Sequence, residues 1–243
     1  MALASRIKDS SFRFKQFTVH QDRCGMKIST DGVVLGAFAG RGNPKNILDI
    51  GAGTGVVSLM LAQRFPNAMI TGIEIDKDAA KQASENIHQS PWSNRIKILN
   101  QSLQEFQRKQ DIKFDLIVSN PPYFPKHLKS IDQKRNLALH NDSLSFFDLA
   151  NGIYSLMENK GHCWLILPPE QMDTINKIFE FLGLFITEKL DLRDKQNKNI
   201  IRTIQDFSYS KGAIKKSIIN IKDESGEYSK DYSELLNEFL IIF

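Results

Sequence analysis

One short segment, Asp49-Ile50-Gly51-Ala52-Gly53-Thr54-Gly55, constrains the fold of this 243-residue chain more than any other. Glycine is needed where the backbone must take positive φ or pass close to a ligand. Three glycines at every second position therefore describe a tight turn. The turn sits between two recognisable elements. Residues 46–50 are apolar and read as a strand, and 54–65 read as a helix with Val57, Leu61 and Phe65 on one face. A strand–glycine turn–helix unit opens an α/β alternation, and the sequence beyond it continues that alternation.

Strands are predicted at 68–75, 96–100, 114–119 and 162–167, with helices at 77–89, 103–108, 146–157 and 170–181 between and after them. Further strand-like runs at 184–190, 203–209 and 217–221 close the sheet, and 228–239 reads as a last helix. The run Phe114 to Ser119 is nearly all apolar, as strands buried on both faces are. Alternating β and α at this spacing implies right-handed crossovers and a doubly wound, mostly parallel sheet. Residues 1–45 form a cap packed on a domain at 46–243, with a helix over 33–39 begun by Thr30-Asp31.

The glycine spacing selects the ligand. A dinucleotide turn, G-x-G-x-x-G, would place glycine at 56, where this chain has Val56. The pattern D-x-G-x-G-x-G fits as it stands, and it is the form used to hold S-adenosyl-L-methionine. Asp49, Gly51, Gly53 and Gly55 are thus candidate cofactor residues, and the helix start offers free amides to the methionine carboxylate. Glu74, ending the second strand, can accept from both ribose hydroxyls, and Ile75 would lie on the adenine face. Asp76 points the other way if the strand continues. Ser102, followed by Leu103, occupies the place where such folds often carry an Asp against the adenine amine.

The chemistry facing that ligand is carried by Asn120-Pro121-Pro122-Tyr123, at the end of the fourth strand. Out of context this tetrapeptide is a turn. At the carboxyl edge of a glycine-turn sheet it becomes a clamp for a planar amine. An –NH₂ conjugated to a ring or carbonyl is a poor nucleophile, because its lone pair is delocalised. The Asn120 side-chain oxygen and the Pro121 carbonyl can each accept one N–H and draw the nitrogen toward tetrahedral geometry. The prolines fix φ and bring no donor, which suits a preorganised acceptor wall. Tyr123 offers a stacking face. Asn120 also borders the cofactor. Methylation of adenine N6 in DNA or RNA, of guanine N2 in RNA, and of glutamine in release factors all fit such a clamp.

Composition narrows the setting. A hydrophobic content of 41% and a charged content of 25% are ordinary for a globular chain, and the net charge of +4 mildly favours an anionic partner. Cys24 and Cys163 stand alone without metal-ligand spacing, so free thiols and no metal are expected. The amino terminus has no signal-peptide pattern and no run approaches a transmembrane length, which places the expectation in the cytoplasm with no membrane partner.

Phe12-Arg13-Phe14-Lys15-Gln16-Phe17, Asp22-Arg23-Cys24-Gly25-Met26-Lys27 and Thr30-Asp31-Gly32-Val33 resemble the amino-terminal signature of the bacterial tRNA-Val adenine-37 N6-methyltransferase family. The resemblance continues through the glycine turn and Asn120 to Phe124, and reaches Tyr228-Ser229-x-x-Tyr232 and Phe239-Leu240, so that it spans nearly the whole chain. It implies a seven-stranded Rossmann-like methyltransferase sheet and S-adenosyl-L-methionine-dependent methylation of an adenine beside the anticodon. The partner implied is a tRNA anticodon stem-loop, with no obligate protein partner. Phe124, Lys126, Lys129, Lys134 and Arg135 follow the clamp and are candidate RNA contacts. A second basic cluster comprises residues 193, 195, 198, 202, 211, 215 and 216, against Asp194 and Asp206. Glutamine methylation of a release factor, and a catalytically silent cofactor-binding partner, remain as alternatives.

Overall fold

The computed structural model describes residues 11–25, 27–109, 112–122 and 144–243. Ten strands are described: β1 (Ser11–Arg13), β2 (Thr18–His20), β3 (Asn46–Ile50), β4 (Met69–Glu74), β5 (Ile96–Asn100), β6 (Phe114–Ser119), β7 (Met157–Leu167), β8 (Phe185–Arg193), β9 (Ile200–Ser208) and β10 (Lys215–Asn220). The helices are α1 (Thr30–Phe38), α2 (Val56–Arg64), α3 (Lys77–His88), α4 (Leu103–Lys109), α5 (Phe146–Leu156), α6 (Pro169–Phe181) and α7 (Lys230–Leu236). Strands β1 and β2 make a small antiparallel hairpin, and the rest form one sheet in the order β10-β8-β9-β7-β6-β3-β4-β5.

The sheet is doubly wound because its strands are apolar on both sides. In β3, Ile47 joins one hydrophobic cluster and Leu48 and Ile50 the other; in β7, Trp164 and Ile166 face one way and Cys163, Leu165 and Leu167 the other. Helices α1, α2 and α7 cover the first face, and α4, α5 and α6 the second. The amino-terminal segment shares the first core. Phe14 and Phe17 stack at 4.3 Å between ring centroids, Phe14 bridges Leu240, and both rings are buried. Among the described residues no helix is long and apolar enough to cross a membrane.

Three expectations are corrected. The sheet has eight strands, the number of strand-like runs read along the sequence, rather than the seven the resemblance implies; β10 adds in parallel beside β8 at the edge. Helix α1 starts earlier than residue 33, with Ser29 as its cap, whose hydroxyl accepts from Gly32 N at 3.3 Å. Strand β7 begins at Met157 rather than 162, and its register against β6 shifts between Phe114 and Leu116. Gly161 permits that irregular start, since a Cβ there would lie 2.9 Å from the Phe114 carbonyl oxygen. The hairpin β1–β2 carries no alternation long enough to have been read.

Candidate active site

All strands of the large sheet except β9 point the same way, so the carboxyl ends of β3, β4 and β6 share one edge. The chain after β3 crosses to β4 on one side, and β6 lies on the other. That edge is therefore a switch point, where open α/β sheets bind ligands. Ser119 Oγ donates to the Ile50 carbonyl at 2.8 Å, tying the strand that precedes Asn120 to the strand that precedes the glycine turn.

The turn has the backbone its sequence demands. Gly51, Gly53 and Gly55 have φ of 76°, 55° and 81°, all in the left-handed region. A Cβ at Gly51 would meet nothing within 4 Å, so the turn faces open space of the kind a ligand fills. Its own amides hold it in place: Gly51 N and Ala52 N donate to the Ile73 carbonyl at 2.9 and 3.0 Å. Helix α2 begins behind Gly55 with no side-chain cap.

Glu74 is oriented by two backbone donors, Gly53 N to Oε2 at 2.9 Å and Asp76 N to Oε1 at 2.8 Å. A carboxylate has about four acceptor sites, so two stay open after these bonds. Asp76 is committed elsewhere, capping α3 through Ala79 N at 2.7 Å. Ile75 is 63% exposed, a bare apolar surface next to that carboxylate. Asn100 Nδ2 braces the stretch by donating to the Glu74 and Ile75 carbonyls, both at 2.9 Å.

Asp49 is 1% exposed and accepts from Ser58 Oγ at 2.7 Å. Burial pushes its carboxyl up to about 6, the Ser58 hydroxyl opposes that rise, and the nearby Glu74 charge adds to it. The thiols offer no comparable reactivity: burial raises Cys24 to about 11, and Cys163, fully buried, also lies above its ordinary value. Among the described residues no cluster of His, Cys, Asp or Glu could hold a metal.

A cavity of about 130 Å³ collects Asp49, Gly51, Gly53, Asn120, Pro121 and Pro122. The glycine turn and the clamp are thus brought together. Asn120 is half-buried, Pro121 buried and Pro122 exposed. Two cofactor candidates are placed differently. Ser102 forms a reciprocal cap with Glu105, receiving Glu105 N on its hydroxyl at 3.2 Å and giving its own N–H to Glu105 Oε2 at 3.1 Å. Leu103 is 4% exposed and packs in the core so closely that a Cβ at Gly152 would come within 2.5 Å of it. Its side chain is core, not cofactor wall. Tyr123, Phe124, Lys126, Lys129, Lys134 and Arg135 lie outside the described residues.

The same cavity is walled by residues the sequence reading passed over: Lys27, Ile28, Ser29, Asp31 and Gly32. Their position follows from how the amino-terminal segment is anchored to α3. Asn86 Oδ1 accepts from His20 N, its Nδ2 donates to the His20 and Thr54 carbonyls, and Arg23 pairs with Glu85. Lys27 and Thr30-Asp31-Gly32 were read as part of the amino-terminal signature, and Thr30-Asp31 as a helix start, but not as site residues.

The model of the methyltransferase small domain matches residues 33–140. A tRNA1(Val) (adenine(37)-N6)-methyltransferase of Pedobacter heparinus is 40% identical over 96% of this chain and 99% of its own length. Its counterpart in Pseudoalteromonas translucida is 41% identical, with the same coverage of each chain. Among solved structures, a predicted O-methyltransferase from Agrobacterium tumefaciens superposes with a TM-score of 0.68, covering 86% of this chain and 96% of that one at 18% identity, a likeness of fold alone. Full-length identity at this level, with the glycine turn and the Asn-Pro-Pro segment on one sheet edge, assigns the chain to the tRNA1(Val) (adenine(37)-N6)-methyltransferase family.

Proposed function

We propose that this protein methylates N6 of adenine-37 in tRNA1(Val), next to the anticodon, with S-adenosyl-L-methionine as donor. The observation that carries the reading is Asn120 opening onto the same cavity as the glycine turn, in a chain whose full-length relatives bear that activity in their names.

The residues present fit the cofactor. Open space over Gly51, the two remaining acceptor sites of Glu74, the exposed Ile75 face and the buried Asp49 carboxyl offer places for a main chain, a ribose, an adenine and an ammonium group respectively. Bound there, S-adenosyl-L-methionine supplies an electrophilic sulfonium methyl. The chain's own part is to orient the acceptor. Asn120 Oδ1 and the Pro121 carbonyl accept the two N–H bonds of the adenine amine and free its lone pair, while Tyr123 stacks on the ring. No general base is required, because the methylated nitrogen is acidic and releases its proton readily. Rate then comes from positioning, where a displacement of about 1 Å costs on the order of 10²-fold. An adenine in an anticodon loop is already partly unstacked, so little energy is needed to extrude it. Phe124, Lys126, Lys129, Lys134 and Arg135 follow the clamp directly and are assigned here to the RNA.

The test is mass spectrometry of nucleosides from tRNA1(Val), isolated from a strain lacking the protein and again after it is restored. The reading requires N6-methyladenosine at position 37 to vanish and return. An unchanged level would overturn it.

A further inference from the structure

A second cavity of about 250 Å³ lies between the β8–β9 turn and the segment after β10, lined by Lys195, Gln196, Asn197, Lys198, Asn220 and Lys222. Its place in the fold is informative. Strands β8 and β10 run parallel to β7, which runs parallel to β6, so Arg193 and Asn220 end on the sheet edge that carries Asn120. With strands about 4.8 Å apart, β8 lies roughly 14 Å and β10 roughly 19 Å along that edge from β6.

An ion pair connects the wall of the first cavity to β9. Asp31 walls the first, and its carboxylate accepts from Arg202 Nε at 2.7 Å. Arg202 stands on β9 opposite Leu192, one residue before β8 ends and the lysine-bearing turn begins. Arg202 thus stands near the strand end from which the turn bearing Lys195 and Lys198 continues.

The cavity gathers several cations. On the neighbouring strands Lys189 pairs with Asp191, and Lys215 shares Glu188 with Arg41. Among the described residues, Lys195, Lys198 and Lys222 make no ion pair within 4.0 Å. Of the two acids at the cavity, Asp223 is turned into its own loop, where Oδ1 accepts from Ser225 Oγ at 2.6 Å, Gly226 N at 3.1 Å and Glu227 N at 3.2 Å. Those bonds hold its carboxyl below the usual range. Asp223, kept ionised by those bonds, and Glu224 together oppose three ammonium groups, so cations exceed carboxylates by one (3 − 2). The frame is firm: Arg193 Nε donates to Asn220 Oδ1 at 2.6 Å, and Ser229 Oγ donates to the Asn220 carbonyl at 2.5 Å.

We propose that this cavity is a docking site for the sugar-phosphate backbone of the RNA, several nucleotides away from the adenine held at Asn120. The inference rests on the function proposed above. Lysines supply charge to phosphate oxygens, and the Gln196 and Asn197 amides can serve a phosphate or a ribose hydroxyl. Such contacts fix register and carry no base preference. The cavity thereby measures the distance from the target base to a backbone position and selects among exposed adenines by geometry.

The test compares wild type, a Lys195→Ala/Lys198→Ala/Lys222→Ala variant, and a control with Lys45→Ala/Lys109→Ala/Lys160→Ala, which removes equal charge from other exposed positions. Each is titrated with unmodified tRNA1(Val) transcript between about 50 and 200 mM salt. Three single-strand phosphate contacts at about 0.7 each make the log–log slope shallower by about 2 in the cavity variant. Its KM for tRNA rises while kcat at saturating tRNA and cofactor affinity hold. The control keeps the wild-type slope. Glu224→Gln, an exposed change, tightens tRNA binding and guards against a variant that folds poorly. Equal slopes in the two triple variants, or a Glu224→Gln protein that binds no better, would overturn the inference. A wild-type protein that binds the transcript but never methylates it refutes the functional reading instead, and the slopes still decide the cavity.

Discussion

The buried carboxyl of Asp49 ties cofactor binding to pH. Its ordinary value of 3.8 is raised to about 6, chiefly by burial, so in the free protein the charged form is the disfavoured one. The folded protein then binds more protons than the unfolded chain between those values, and free-protein stability falls as pH rises from 3.8 to about 6. About two units correspond to about 3 kcal/mol, fully felt above pH 6. A cofactor ammonium placed against Asp49 restores the charged form, so affinity must climb as pH rises through 6. A neutral Asp49 would weaken binding about tenfold at pH 5 and about twofold at pH 6, with almost no effect at pH 7. Calorimetry in buffers of different ionisation enthalpy reads the same event as release of about half a proton at pH 6. Asp49→Asn should bind S-adenosyl-L-methionine weakly, lose this pH dependence, and be up to about 3 kcal/mol more stable than wild type without ligand at pH 8. An affinity flat from pH 5 to 8 in the wild-type protein would refute the reasoning.

Three further outcomes follow from the site. Gly53→Val forces a β-branched residue into φ of 55°, costs roughly 1–2 kcal/mol of stability, and abolishes cofactor binding; unchanged calorimetric affinity in a folded variant would remove the turn from the cofactor site. Leu103→Ala should lower stability by about 2–5 kcal/mol in denaturant unfolding yet leave cofactor affinity intact, because the side chain belongs to the core. In single-turnover methyl transfer, Asn120→Ala should lose turnover while retaining cofactor. Tyr123→Phe should stay active, and Tyr123→Ala should lose about 1–3 kcal/mol of stacking. An active Asn120→Ala protein contradicts the clamp.

Much of the fold was legible because strand and helix periods are distinct and the central strands are apolar on both faces. Ile47, Leu48 and Ile50 betray a two-sided strand without any partner being known. The run at 217–221 was read as a strand, although β10 has exposed residues from Lys215 to Ile218 and its place depends on β8 offering an open edge. Glu74 was preferred to Asp76 by position; Glu74 accepts from two backbone donors, whereas Asp76 caps α3. Leu103 could not be assigned from sequence, since whether a leucine after a strand faces ligand or core depends on the small residue opposite it, here Gly152. The contribution of Lys27 to Gly32 was hidden for a related reason. Bonds from Gln82, Glu85 and Asn86 on α3 tie that distant segment over the glycine turn.

The hydrogen bond from Ser119 Oγ to the Ile50 carbonyl spans 69 residues of chain, and it has a consequence for folding. Strands β3, β4 and β5 are neighbours in sequence and can associate early, whereas β6 must return past them to the far side of β3. Contacts so distant in sequence bear a loop-closure cost before they give any return. The cofactor turn and the clamp thus face each other only after that late docking. A ligand that needs both recognises the finished sheet and not its precursors. At one hundred times its dissociation constant it adds about 2.7 kcal/mol to the native state. In the cell the methyl donor is then also a folding partner, and proteolytic survival of the protein should rise with the supply of its own substrate.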